Sequence, residues 1–327
     1  MDELLRLSGL SVDYKVKDGY LSAVKGLSLT VNRGEVLAVV GESGCGKSTV
    51  AHAIMRLLPA HNEHISGEII FKGGNLVNYT EKQMVEIRGR DIGMIFQNPL
   101  DSLNPVYRAG FQVEEAILLD GVTHRKAFEE TLRLFSEVKL PDPEQQMKRF
   151  PHELSGGMRQ RVMIAMMLSR RPELLIADEP TTALDVTIEA QIMSIIKELK
   201  AQHNMAVLLI THNFGIVADA ADRIIVMYAG QQVEEGTVSE IFKQPSHPYT
   251  YLLMQALPRK SKRDGLLRTI EGSVPRMINC GSGCRFANRC PIAKKVCEEA
   301  DPPLVSISGT HSFKCHFGEE AAAWRNR

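Results

Sequence analysis

Residues 35–49 constrain this chain most: an apolar run, EVLAVV, leads directly into GESGCGKST. A strand that feeds glycine, four residues, glycine, lysine and a hydroxyl residue turns its backbone amides inward, and the glycines leave room for an anion. The helical segment that follows, from Lys47 to about residue 58 ahead of Pro59, adds the positive end of its dipole. Lys47 then supplies charge to terminal phosphates and Ser48 offers a hydroxyl to Mg²⁺, while Gly41, Ser43, Gly44, Cys45, Gly46 and Thr49 complete the loop. Cys45 reads as a tolerated small residue rather than a ligand, although its oxidation would block nucleotide.

A second run, LLIADE at residues 174–179, delivers two adjacent carboxylates to the carboxyl end of a strand, the edge at which open parallel sheets bind ligands. Asp178 is placed to hold Mg²⁺, directly or through water, and Glu179 to polarise an attacking water. The plainer alternative, two strand-end acids capping the next helix, loses its appeal once the phosphate loop is present. Around these runs, alternating residues at 5–14 and 23–31 predict an antiparallel edge sheet, and short strands follow at 68–71 and 92–96. Helices are expected within 111–150, at 159–170 and at 188–202, strands at 174–177 and 206–211, and a hairpin of 224–227 against 231–234. That alternation implies an α/β protein with a mostly parallel sheet covered by helices. A helical region spans 241–257, and the basic, turn-prone PRKSKRDG at 258–265 reads as a linker, so the boundary between domains is drawn near residue 258.

A chain of 327 residues suits one main domain and an appendage. Lysine plus arginine equals aspartate plus glutamate at 39 each, so no global charge draws it to nucleic acid or an acidic bilayer. Its apolar runs fall far short of the ~20 residues of a membrane span, and the N-terminus shows no signal peptide. A cytoplasmic location follows as an expectation, and in a reducing compartment a bound metal outranks disulfides for Cys280, Cys284, Cys290, Cys297 and Cys315.

Between the two nucleotide motifs lies LSGGM at residues 154–158, similar to the LSGGQ signature of the ATP-binding-cassette family. Gln97 after DIGMIF resembles the family's Q-loop, Ala183, Leu184 and Asp185 its D-loop, and His212 after VLLIT its switch histidine. The resemblance covers about residues 3–257 and implies a P-loop NTPase with a mixed sheet core, an antiparallel β subdomain and a helical subdomain at about 98–170. It also implies a head-to-tail pair of such chains, in which Ser155, Gly156 and Gly157 contact the γ-phosphate held by the partner's loop. Asp185 belongs to that interface. His212 would touch the γ-phosphate of its own chain, and Gln97 would sense that phosphate, contribute to the Mg²⁺ site and signal to a membrane partner. Tyr14 resembles the aromatic that stacks on adenine, with Tyr20 and a plain core role as alternatives. Met158 departs from the family glutamine and Asn213 from its aspartate, which leaves room for unequal sites in a heterodimer.

PSHPYTYLLMQALP at residues 245–258, followed by the cysteine-bearing tail, resembles the dipeptide, oligopeptide and nickel importer branch. His247, Pro248, Tyr249 and Thr250 carry that likeness, although structurally HPYT reads as a helix-entry turn with Tyr249 buried. Four thiolates, Cys284, Cys290, Cys297 and Cys315, suit either iron–sulfur ligation or tetrahedral zinc. The resemblance implies a [4Fe-4S] cluster in a small cysteine-rich C-terminal domain at 258–327, with zinc as the alternative and Cys280 unassigned. Such a tail has little core of its own, so a metal centre would supply fold stability. The implied function is the ATPase of a peptide importer at the cytoplasmic face of the membrane, partnered by two permeases, an extracytoplasmic solute-binding protein and a second ATPase. That second ATPase makes a heterodimer, or a homodimer as the alternative. A nickel or other small-solute importer is the runner-up. A DNA-repair ABC ATPase fits poorly because residues 50–153 lack a sustained heptad run.

Overall fold

VLAVV, LLIAD and AVLLIT have no polar face, and each becomes a strand buried along its whole length. The computed structural model describes residues 2–59, 62–97, 102–181, 185–256 and 270–325. Its strands run in chain order as β1 (Glu3–Val16), β2 (Gly19–Asn32), β3 (Val36–Val40), β4 (Glu63–Phe71), β5 (Gly74–Asn75), β6 (Ile92–Ile95), β7 (Leu174–Asp178), β8 (Ala206–Thr211), β9 (Arg223–Tyr228), β10 (Gln231–Thr237), β11 (Leu304–Ser306) and β12 (Ser312–Lys314). They divide between two compact units.

One unit comprises Met1–Leu4, Val31–Val36 and Asn78–Ile210. In it β6, β7 and β8 lie side by side and parallel, Ile92 opposite Leu174 and Leu174 opposite Ala206. The helical stretch anticipated at 111–150 resolves into helices Ala109–Leu118, His124–Glu137 and Pro143–Met147. Gly121, at φ 74°, lies in the first break, and Pro143 starts the last helix at its first turn. Val113, Ile117, Leu134, Phe135 and Met147 form its buried faces. The helix expected at 159–170 begins earlier, at Gly156, because Ser155 caps it with a hydroxyl that accepts from the Met158 N–H. The D-loop residues Ala183 and Leu184 and the linker at 258–265 lie outside the described residues.

The other unit comprises Leu5–Thr30, Leu37–Val77 and Thr211–Arg327. Its antiparallel sheet runs β2-β1-β4-β5, and its second sheet runs β11-β12-β10-β9-β3, with β3 parallel to β9 and the remaining pairs antiparallel. The C-terminal residues are thus joined to the unit by a strand: Glu234 and Glu235 of β10 pair with Phe313 and Ser312 of β12. They also supply Phe286, 1% exposed, to a core that contains Val40, Val226, Tyr228 and Tyr249. Tyr228 packs edge to face on Tyr249 and Phe286, with ring centroids 4.7 and 5.0 Å apart, and the latter two are tilted on one another at 5.3 Å.

The helix anticipated across 241–257 is two helices, Val238–Lys243 and Pro248–Gln255. HPYT is the entry turn of the second: the His247 Nδ1 accepts from the Tyr249 N–H at 3.1 Å, so the neutral ring carries its proton on Nε2. Beneath it Glu234, with no exposed surface, accepts from the Ser246 and His247 N–H groups and pairs with His311 Nε2 at 2.8 Å.

Burial pushes the His247 imidazole down to about 4, against the opposing pull of Glu234. The unfolded chain takes up this proton below about 6.5; the folded chain does so only near pH 4. Stability is therefore lost as pH falls from 6.5 towards 4, by on the order of 3 kcal/mol. Urea unfolding across that window should show the loss, and His247→Asn, which keeps a capping acceptor, should flatten it. An equally steep fall in the variant would remove His247 as the cause.

Candidate active site

The phosphate loop leaves β3 and enters the helix Lys47–Ile54 through Gly46, which sits in left-handed space at φ 97° and ψ 4°. No side chain fits there, since a Cβ would stand 2.3 Å from the Ala23 carbonyl oxygen. Lys47, 4% exposed, donates to the Gly41 and Glu42 carbonyls at 2.9 and 3.0 Å. The Glu42 N–H donates to the Tyr249 hydroxyl at 3.0 Å, and the Gly230 N–H to the Cys45 carbonyl at 2.8 Å. Ser43 and Gly44 are exposed at the tip, Ser48 and Thr49 half-buried at the helix entrance. Burial raises the Cys45 thiol, with Lys47 opposing, so this cysteine is a packed thiol rather than a reactive thiolate.

Tyr14 on β1 is hydrogen-bonded to Thr49 at the end of the same loop, and burial raises its phenol. Tyr20 is 55% exposed, with its backbone tied to Asn279. Of the two aromatics singled out from the sequence, Tyr14 is the one beside the phosphate loop. In the same unit His212 follows β8, and Asn213 accepts from the Gly215 N–H at 2.9 Å as the cap of the helix Phe214–Ala220. Asparagine serves that capping role as well as aspartate does.

The carboxylates belong to the other unit. Asp178 ends β7 and is 3% exposed. Glu179 follows at φ 46°, a backbone conformation costing about 1–3 kcal/mol in a non-glycine residue, and its N–H donates to the Ile210 carbonyl at 2.8 Å. Gln97, just past β6, donates from Nε2 to Glu179 Oε2 at 2.9 Å, so two residues 82 positions apart meet. The signature turn exposes Ser155, half-buries Gly156 and buries Gly157, where a Cβ would meet Ile188 at 2.8 Å. Asp185 caps the helix Val186–His203 by accepting from the Ile188 N–H. Sequence reasoning left Glu42, Tyr249 and the arginines of the tail without a part at the phosphate loop. Glu42 lay inside the motif, but the partners that reach it come from more than 200 residues away.

Cys284, Cys290, Cys297 and Cys315 line one cavity, together with His247, Phe286 and His316. The Cys284 N–H donates to the Cys297 carbonyl at 2.7 Å. Burial pushes the Cys284 thiol up to about 11 and the Cys290 thiol up to about 12, and raises Cys315 as well. Among the described residues no three side chains close tightly enough to hold a single metal ion.

A strand, glycine loop and helix in one unit, and a strand ending in two carboxylates with a glutamine in the other, are the parts of a P-loop ATPase. Residues 24–182 match the ABC transporter family, and residues 233–297 match the family described as the oligopeptide/dipeptide transporter C-terminal region. The chain is 47% identical over 322 residues to a probable peptide ABC transporter ATP-binding protein of Sinorhizobium fredii, covering 98% of this chain and 96% of that one. It is 47% identical over 306 residues to the oligopeptide transport ATP-binding protein of Salmonella typhimurium, covering 93% and 91%. A dimeric ATP-binding cassette solved in a post-hydrolysis state with ADP and Pi superposes with a TM-score of 0.65 at 26% identity, over 72% of this chain and 99% of that one. The chain belongs to the ATP-binding proteins of the ABC transporter family. It is an ATP-hydrolysing enzyme of that family.

Because Gly46 combines positive φ with the Ala23 carbonyl behind it, Gly46→Ala should destabilise the chain by about 2–4 kcal/mol. Denaturant unfolding measures this; a loss below about 0.5 kcal/mol would mean that the loop relaxes freely.

Proposed function

We propose that this chain is the ATPase subunit of an importer for dipeptides or oligopeptides, bound peripherally at the cytoplasmic face of the membrane. Its partners are two permeases, an extracytoplasmic solute-binding protein and a second ATPase, as a heterodimer or a homodimer, with no nucleic acid among them. The match of residues 233–297 to the oligopeptide/dipeptide transporter region carries the peptide assignment. Relatives named for peptide transport support it. Among the described residues no helix is long and apolar enough to cross a membrane, in keeping with a subunit that works through permeases. Purification of the complex from native membranes tests the reading: permeases and peptide-stimulated hydrolysis are expected, whereas recovery with DNA, or stimulation by nickel alone, would overturn it.

In the proposed reaction Gly41, Ser43, Gly44, Cys45, Gly46, Lys47, Ser48 and Thr49 hold the phosphates, and Tyr14 stacks on adenine. Ser48, Asp178 and Gln97 attend Mg²⁺, and Glu179 takes the proton of the attacking water while His212 steadies the γ-phosphate. Ser155, Gly156, Gly157 and Asp185 complete the site of the second ATPase. The Gln97 amide on Glu179 and the constrained Glu179 backbone support this division of roles. Glu179→Gln should lower phosphate release about 10²–10⁴-fold while ATP still binds. Near-normal turnover would remove Glu179 as the base.

The cysteine-rich stretch at 258–327, drawn from the sequence as a domain with its boundary near 258, would hold a [4Fe-4S] cluster. Four thiols on one cavity fit a cluster. Their raised thiols would need a cation to deprotonate them, and zinc is the alternative occupant. When bound, the cluster would cross-link a segment that shares its core with the rest of the unit. Anaerobically purified protein should contain about four irons with matching acid-labile sulfide per chain; one zinc would replace the cluster with a mononuclear centre.

A further inference from the structure

Two arginines adjoin cysteines of the cavity in sequence; Arg289 reaches the phosphate loop in space, and Arg285 reaches the turn and strand behind it. Arg285, next to Cys284, is 9% exposed and donates to the Ala229 carbonyl, to the Ser22 carbonyl at 3.2 Å and to the Ser22 hydroxyl at 2.8 Å. Ala229 precedes Gly230, whose N–H holds the Cys45 carbonyl of the loop. Arg289, next to Cys290, places Nη1 at 3.1 and 3.0 Å from the two oxygens of Glu42 and at 3.3 Å from the Tyr228 hydroxyl. Its Nε donates to the Glu271 carbonyl at 2.8 Å, and its Nη2 to the Ile270 and Gly272 carbonyls at 3.2 and 3.3 Å. Every donor of the guanidinium therefore has an acceptor, and its side chain is only 7% exposed.

Glu42 is the second residue of a loop whose purpose is to hold polyanionic phosphate. An unpaired carboxylate there opposes that purpose, since like charges ~10 Å apart cost more than 1 kcal/mol at an effective dielectric near 20. Arg289 cancels the charge, and its Nη1, shared between the two oxygens, fixes where the carboxylate points. The same guanidinium is held by the carbonyls of residues 270–272, and the main chain that carries it adjoins Cys290.

We infer that Arg289 is a positioning residue for nucleotide binding: by neutralising and orienting Glu42 it makes the affinity for ATP depend on the integrity of the cysteine-lined segment. This rests on ATP binding at the phosphate loop and requires no particular occupant of the cysteine cavity. The experiment is a set of ATP dissociation constants, measured calorimetrically on the full chain for wild type, Arg289→Met, Glu42→Gln and the double variant. Arg289→Met should weaken binding about tenfold, more at low than at high salt. Adding Glu42→Gln should recover most of that loss, because the charge that Arg289 cancels is then gone. Cys290→Ser should weaken binding in the wild-type background and much less in the Glu42→Gln background. The proposal is overturned if Arg289→Met binds as wild type, if the double variant binds as poorly as Arg289→Met, or if Cys290→Ser shifts both backgrounds equally. Iron assayed in the same samples separates the two readings: iron lost from Cys290→Ser with no change in affinity would leave the cluster standing and sink the coupling.

Discussion

A loop that grips phosphate with backbone amides must have no side chains behind it, and the unit around it is arranged to meet that requirement. Gly41 and Gly46 lie so close to the Met227 and Ala23 carbonyls that a methyl group at either would overlap them. The loop is thereby pressed against β9 and β2. Tight apposition makes the cradle stiff, and stiffness is what lets fixed dipoles act on charge without reorganising.

The C-terminal residues take part in that arrangement as structural members. A strand from residue 312 onward extends the sheet through β10, and Phe286 joins a core to which β3, β9 and the helix Pro248–Gln255 contribute. His247 and Glu234 then hold the entry of that helix, which aims the Tyr249 hydroxyl at the Glu42 amide. A motif that reads in one dimension as a mark of kinship is, in three, a hinge pin between the sheet and the phosphate loop. The Lys25–Asp301 pair at 2.8 Å and the Ser22–Met277 backbone bond fasten the same residues to β2.

Much of this was legible in the amino-acid sequence, for identifiable reasons. Strands without a polar face at 36–40, 174–178 and 206–211 announce themselves by unbroken apolar runs, and the glycine loop by chemistry that few backbones other than glycine tolerate. Helix ends were uneven: the entry turn at His247 was legible from HPYT, whereas Ser155 caps from a position that carries no apolar periodicity. The meeting of Gln97 with Glu179 was implied only by resemblance, as nothing local in either segment encodes the other. Arg285 and Arg289 were invisible as parts of the nucleotide region: in sequence they are two charges among cysteines, and only the folding of the tail against the turn after β9 and the phosphate loop gives them their acceptors.

The separation of 247 residues between Glu42 and Arg289 has a meaning for the growing polypeptide. Translation at ~5–20 residues per second places roughly 12–50 s between the emergence of the loop and that of its counter-charge. Throughout that interval the glycine loop carries an uncompensated carboxylate and lacks Phe286 beneath it. By the coupling inferred above, a nascent chain that stops short of residue 289 would bind ATP more weakly than one that carries Arg289.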